Sequence, residues 1–181
     1  MTEIADILDF WFSRTSKNQW FKKDPDFDRE IGERFEATYE RGAAGELRDW
    51  KSTPEGCLAL VILLDQFPRN MYRGDRRAYT TDAKARAVLE HALEQGFDER
   101  LTEDQRLFLY LPLEHSENLD HQQRFRDLVR RMTDDPERLE WGRRHYAVIE
   151  RFGRFPHRNA ILGRETTPEE AEFLAPGDWS F

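Results

Sequence analysis

A single cysteine, Cys57, leaves the chain no intramolecular disulfide to form. Its place inside an apolar run reads as a buried thiol rather than a nucleophile. That run, Cys57 to Leu64, is the longest in the sequence and falls far short of the ~20 residues that a membrane-spanning helix needs. The N-terminus, Met1-Thr2-Glu3-Ile4-Ala5-Asp6, carries acids where a secretory leader would carry bases. No phosphate loop, dinucleotide fingerprint, H-E-x-x-H, cysteine cluster or calcium loop is present, and Ser116 lacks the G-x-S-x-G elbow. The expectation is therefore a cytoplasmic protein with no metal, no cofactor and no membrane partner. A formal net charge of −8 is the wrong sign for binding nucleic acid.

What the sequence has in quantity is aromatic bulk: thirteen Phe, five Trp and five Tyr among 181 residues. Such surfaces fill a core, which argues against disorder even with 35% charged residues. Apolar residues recur with helical spacing from end to end, and no segment alternates as a strand would. Ile4, Ile7, Leu8, Trp11 and Phe12 form a first stripe. Asp24-Pro25 opens a second helix with Phe27, Ile31, Phe35 and Tyr39 inward, and Thr53-Pro54 opens a third, central one. Asp82 is placed to cap a fourth, ended by Gly96, and Thr102 with Gln105 forms a capping box before a fifth. Phe125 and Val129 mark a sixth. Asp135-Pro136 opens a seventh with Leu139, Tyr146, Ile149 and Phe152 inward, and Thr167-Pro168 signals a last short one. The fold class is all-α: about seven to nine helices in packed antiparallel hairpins joined by short loops. One domain is expected over residues 1–181, with the terminal Asp178-Trp179-Ser180-Phe181 docked on the body.

Two motifs concentrate chemistry. Phe67-Pro68-Arg69-Asn70 before Gly74 is echoed by Phe155-Pro156-His157-Arg158-Asn159 before Gly163. Proline discourages helix continuation, glycine permits the turn, and arginine offers a rigid fork for a carboxylate, a phosphate or helix-end carbonyls. Each arginine is thus either an internal clamp, with partners such as Asp65, Glu114 or Glu117, or part of an anion site. In Leu111-Pro112-Leu113-Glu114-His115-Ser116-Glu117, carboxylates flank an imidazole, a pattern suited to proton transfer near neutral pH.

These motifs, with Ile7-Leu8-Asp9-Phe10-Trp11-Phe12, Trp20-Phe21, Leu64-Asp65-Gln66 and Gly153-Arg154, resemble the domain of unknown function 924 family in the same order, from about Ile4 to about Phe173. The resemblance implies a bacterial all-α protein with a tetratricopeptide-like arrangement of hairpins, and it implies no activity. It carries over Asp65, Gln66, Arg69, Asn70, Glu114, His115, Ser116, Glu117, Arg154, His157, Arg158 and Asn159. Two function classes follow. In one, a small anionic molecule sits in a polar pocket formed by both F-P-R-N-type turns and the Leu111–Glu117 segment. Arg69, Asn70, Ser116, Arg154, His157, Arg158 and Asn159 then bind, while His115, Glu114 and Glu117 handle protons. In the other, the hairpins form an interaction scaffold for a partner peptide. No reaction follows from these residues.

Overall fold

The computed structural model describes residues 3–20 and 22–175. Phe21 and the terminal Asp178-Trp179-Ser180-Phe181 lie outside the described residues. Every regular element among those described is helical, and none is a strand. Of eleven α-helical segments, two are single turns and two are halves of one helix, which leaves eight, within the expected range. No helix among them is long and apolar enough to cross a membrane. The chain gathers into two compact units, Met1–Pro112 and Leu113–Phe181.

In the first unit, α1 (Glu3–Asp9) runs into a π-turn over Phe10–Arg14, and α2 (Lys17–Trp20) is a single turn. The Asp24 carboxylate accepts the Asp26 and Phe27 N–H groups and so starts α3 (Pro25–Ala44), which Gly45 ends in the left-handed conformation at φ 81. The inward face of α3 is the expected one, Phe27, Ile31, Phe35 and Tyr39, extended by Gly42. Phe10 stacks on Phe27 at 5.5 Å, and Trp11 meets Phe67 and Phe108 edge-on at 5.7 and 5.5 Å. Burying side chains of this size contributes about 1.5–3 kcal/mol each.

The central helix begins as α4 (Pro54–Val61), capped by the Thr53 hydroxyl, and residues 57–64 are all buried, as the apolar run requires. Sequence reasoning stops this helix at Pro68; the backbone instead continues. It switches to π-type bonding over Ile62–Gln66 and resumes as α5 (Phe67–Met71). Pro68 has no N–H to give the Leu64 carbonyl, its partner in an unbroken α-helix. The Thr81 hydroxyl supplies that bond from outside, at 2.6 Å. Thr81 also stands at the N-cap of α6 (Asp82–Glu94), the position expected for Asp82, which has other work. The Thr102–Gln105 box forms before α7 (Glu103–Glu114) as the spacing predicts.

The last two residues of α7, Leu113 and Glu114, begin the second unit. Asn118 caps α8 (Leu119–Met132), and Asp135 caps α9 (Pro136–Phe152). The two helices pack closely at Gly142, where a Cβ would stand 3.1 Å from the Phe125 ring. The buried face of α9 is Gly142, His145, Val148 and Ile149; Leu139 and Tyr146 are only half-buried. The Arg126 guanidinium covers part of the Tyr146 ring at 4.3 Å. Gly153 ends α9, and the chain continues through a 3-10 turn at Pro156–Arg158, the single turn α10 (Asn159–Leu162) and α11 (Pro168–Leu174).

Candidate functional site

The first F-P-R-N turn lies in the first unit, on α5. Its arginine is clamped. Arg69 donates to both oxygens of Asp82 at 2.8 and 3.0 Å and to the Asp65 carbonyl at 2.7 Å, with the Asp65 carboxylate at 3.3 Å. Burial alone would lower the pKa of this guanidinium; the two aspartates reverse that and raise it. The Gln66 amide donates to Asp65. Asn70 donates to Asp28 at 2.8 Å, and Arg73 grips the same carboxylate with two bonds, which ties α5 to α3. Every one of these motif side chains therefore has a partner within its own unit, which fits the internal-clamp reading of Arg69.

In the second unit a polar network laces the loops around the second turn. Arg154 makes a forked pair with Glu170 at 2.6 and 2.8 Å. Glu170 also closes a capping box with Thr167 and accepts from Asn159 at 3.1 Å. The Arg154 and Thr167 bonds pull the Glu170 carboxyl down to about 2. Arg164 forks onto Glu117 at 2.7 and 3.0 Å and donates to the carbonyl of Phe155, while the Phe155 N–H donates to Glu117 at 2.8 Å. Burial would raise the Glu117 pKa, but Arg164 and that N–H together bring it below its usual value. A carboxylate held ionised by this many donors is a poor proton carrier.

Ser116 and His121 form a short bond, 2.8 Å from Oγ to Nδ1, and the Asn118 N–H donates to the same hydroxyl. Gln122, fully buried, turns its amide nitrogen toward the carbonyls of Leu113, Glu114 and Ser116 and so caps the end of α7. Its Oε1 is buried without a hydrogen-bond partner. This cap fixes the backbone that presents Glu114 and His115.

The remaining polar groups gather around His145, which sequence reasoning did not single out. His145 and Glu114 are both buried, with Nδ1 3.4 Å from the Glu114 carboxylate and 3.0 Å from the Trp141 carbonyl. A carbonyl only accepts, so Nδ1 carries the proton and Nε2 is the acceptor. Burial pushes the imidazole pKa down to about 3; the Trp141 carbonyl opposes this, while His115, Arg158 and His157 lower it further. His145 is therefore neutral near pH 7. Arg158 donates to the His115 carbonyl at 3.0 Å and lies over the Phe155 ring at 4.4 Å. Phe155 in turn meets His145 at 5.8 Å and His157 at 5.6 Å.

Of the expected site residues, then, Glu114, His115, His157 and Arg158 surround one buried imidazole. Ser116, Glu117, Arg154 and Asn159 hold the loops around them, and Arg69 and Asn70 have their own partners in the first unit. Gln122, His145, Arg164 and Glu170 escaped the sequence reading as site residues, and Asp82 is read there only as a helix cap. For His145 a signal existed: it is the one imidazole on the otherwise apolar stripe Gly142, Val148, Ile149 and Phe152. Among the described residues, no three His, Cys, Asp or Glu side chains are placed to hold a metal ion.

The sequence model of a family described as "Bacterial protein of unknown function (DUF924)" matches residues 7–178. A solved structure of a protein of unknown function from Agrobacterium tumefaciens is similar, at 44% identity over 96% of this chain and 97% of that one, with a TM-score of 0.91. No curated protein matches the chain.

Proposed function

The chain belongs to the DUF924 family of bacterial proteins of unknown function, and we propose that it binds a small anion in the second unit, beside Glu114, His115, His145, His157 and Arg158. One arrangement carries the reading: Arg158 and His157 lie against the Phe155 ring at 4.4 and 5.6 Å, and the same ring meets the buried His145 at 5.8 Å, with the Glu114 carboxylate 3.4 Å from that imidazole. In a chain of net charge −8, a convergence of arginine and histidine runs against the overall sign. A carboxylate or phosphate would accept charge-assisted bonds from Arg and His. Strongly perturbed titratable groups with named charge partners cluster at functional sites. Glu114 and His115 supply proton acceptors and donors next to the ligand. The acidic balance and the lone buried thiol support a cytoplasmic protein with no nucleic-acid partner.

The peptide-scaffold reading has less behind it. Among the described residues the exposed large hydrophobics are Leu119 and Trp141, too few to line a groove. Thermal melting in phosphate and in small carboxylates, against sodium chloride of equal ionic strength, tests the anion site. A ligand that binds only the folded state adds about 2.7 kcal/mol at a hundredfold excess over its Kd. His157→Gln and His115→Gln, each compared with its own melting temperature in chloride, should lose the anion's stabilisation. Equal responses from variants and wild type, or no response to any anion, would reject the reading.

A further inference from the structure

We propose that the outer face of α3, centred on Gly32, docks a basic segment of another protein, with a lysine or arginine side chain seated over the glycine. This face lies in the first unit and is independent of the anion site. Gly32 stands inside α3, where glycine is a poorer helix former than alanine. Every other glycine among the described residues has a reason within the chain. Gly45, Gly74, Gly96, Gly153 and Gly163 have positive φ, and at Gly42, Gly56 and Gly142 a Cβ would meet a neighbour at 3.1 Å or closer. At Gly32 φ is not positive, and a Cβ would meet nothing within 4 Å. The missing side chain instead opens a groove of about 370 Å³ between α3 and the end of α5.

The groove has an apolar floor and an acidic rim. Met71 and the buried Tyr72 lie beside the Gly32 backbone, while Asp28, Glu33 and Glu36 flank it with a single cation, Arg29. A second groove, of about 310 Å³, shares Arg29 and Glu33 and adds Asp24, Asp26 and Glu30. Six carboxylates and one arginine thus line two adjoining grooves. Arg29 is itself paired with Asp26 at 2.8 Å, and Asp28 is held by Asn70 and Arg73. Glu36 accepts the Tyr72 hydroxyl at 2.9 Å, which leaves it lone pairs for a further donor. Glu33 is 70% exposed, with Arg29 at 3.8 Å. Charge complementarity selects a cation here. The aliphatic stem of lysine or arginine covers apolar surface while its head stays among polar groups, which matches this floor and rim. Such docking needs no exposed apolar side chain, and the rim charges steer the encounter.

Fluorescence anisotropy of a short labelled peptide of alternating arginine and serine, titrated with the whole protein, tests the proposal. The peptide should bind, more weakly as salt rises, and its glutamate–serine counterpart should not. Gly32→Leu fills the groove without changing any charge. It should melt no lower than the wild type and weaken binding about tenfold or more. Glu33→Gln and Glu36→Gln should each weaken it about two- to fivefold, the worth of an exposed ion pair. Glu172→Gln, an exposed position in the second unit, should leave it unchanged. Equal binding by the wild type and Gly32→Leu would reduce the attraction to net charge and overturn the proposal, as would no binding at low salt. Spermidine displacing the peptide at equal concentration of charge would assign the groove to small cations. A concentration-dependent dimer that Gly32→Leu abolishes would assign it to a second copy of the chain, and either result overturns the choice of partner.

Discussion

His145 should give the protein a measurable loss of stability between neutral and mildly acidic pH. In the unfolded chain an imidazole titrates at its ordinary value near 6.5. In the folded protein burial holds it at about 3. Between those values the unfolded state binds a proton that the folded state refuses, so stability falls as pH falls. Well inside that window each pH unit removes about 1.4 kcal/mol, and near pH 6.5 about half that, hence about 2 kcal/mol from pH 6.5 to 4.5. The groups that face the imidazole are the Glu114 carboxylate, the Trp141 carbonyl, and His115, His157 and Arg158; the positive ones oppose its protonation. Glu170 contributes in a separate, lower window. Its depressed carboxyl at about 2 stabilises the fold above the unfolded carboxylate value, and that stabilisation is lost as pH drops below it. The clean comparison is therefore His145→Gln, which can keep the bond to the Trp141 carbonyl and does not titrate. Urea unfolding followed by far-ultraviolet circular dichroism at pH 4.5, 5.5 and 6.5 should show the wild type losing about 2 kcal/mol more than the variant over that range. Parallel slopes would mean that His145 is protonated in the folded state and that the burial argument is wrong.

Other substitutions probe the frame. Gly56→Ala should destabilise or block folding, because its Cβ would stand 1.9 Å from the Trp50 carbonyl oxygen, and urea midpoints will read the loss. Arg69→Ala should cost about 3–5 kcal/mol in urea titrations by stranding Asp65 and Asp82, with Arg69→Lys only partly restoring it because a lysine lacks the fork. Leu63→Ala, at a fully buried site, should cost about 2–5 kcal/mol by leaving a cavity; a neutral result would remove the central helix, of which α4 is the first part, from the middle of the first unit. Gln122→Leu should cost about 1–3 kcal/mol, since three carbonyls at the end of α7 lose their donor.

The helices were legible because they rest on local signals. Asp24-Pro25, Thr53-Pro54 and the Thr102–Gln105 box cap helices as their spacing predicts, and the apolar run at 57–64 is buried throughout. Legibility failed where a distant residue completes a bond. Nothing near Pro68 in sequence announces that Thr81 will satisfy the Leu64 carbonyl, so the continuation of the helix through a π-turn was missed. Asp82 looked like a cap because it precedes an apolar stripe; its pairing with Arg69 needs the fold. In the same way Arg164 and Glu170 were invisible as the partners of Glu117 and Arg154, although the motif arginines and glutamates themselves stood out. His145 was missed for a different reason. A histidine on an apolar stripe reads as a packing residue until Glu114, His115, His157 and Arg158 are seen around it.

Carbon-13 edited proton spectra of the imidazole rings test the anion site most directly. Titrating phosphate at constant ionic strength should move the His115, His145 and His157 resonances together, along one saturable curve. His91, which bonds to the Lys51 carbonyl in the first unit, should stay still. All five histidines drifting equally, or none moving at saturating phosphate, would contradict the account.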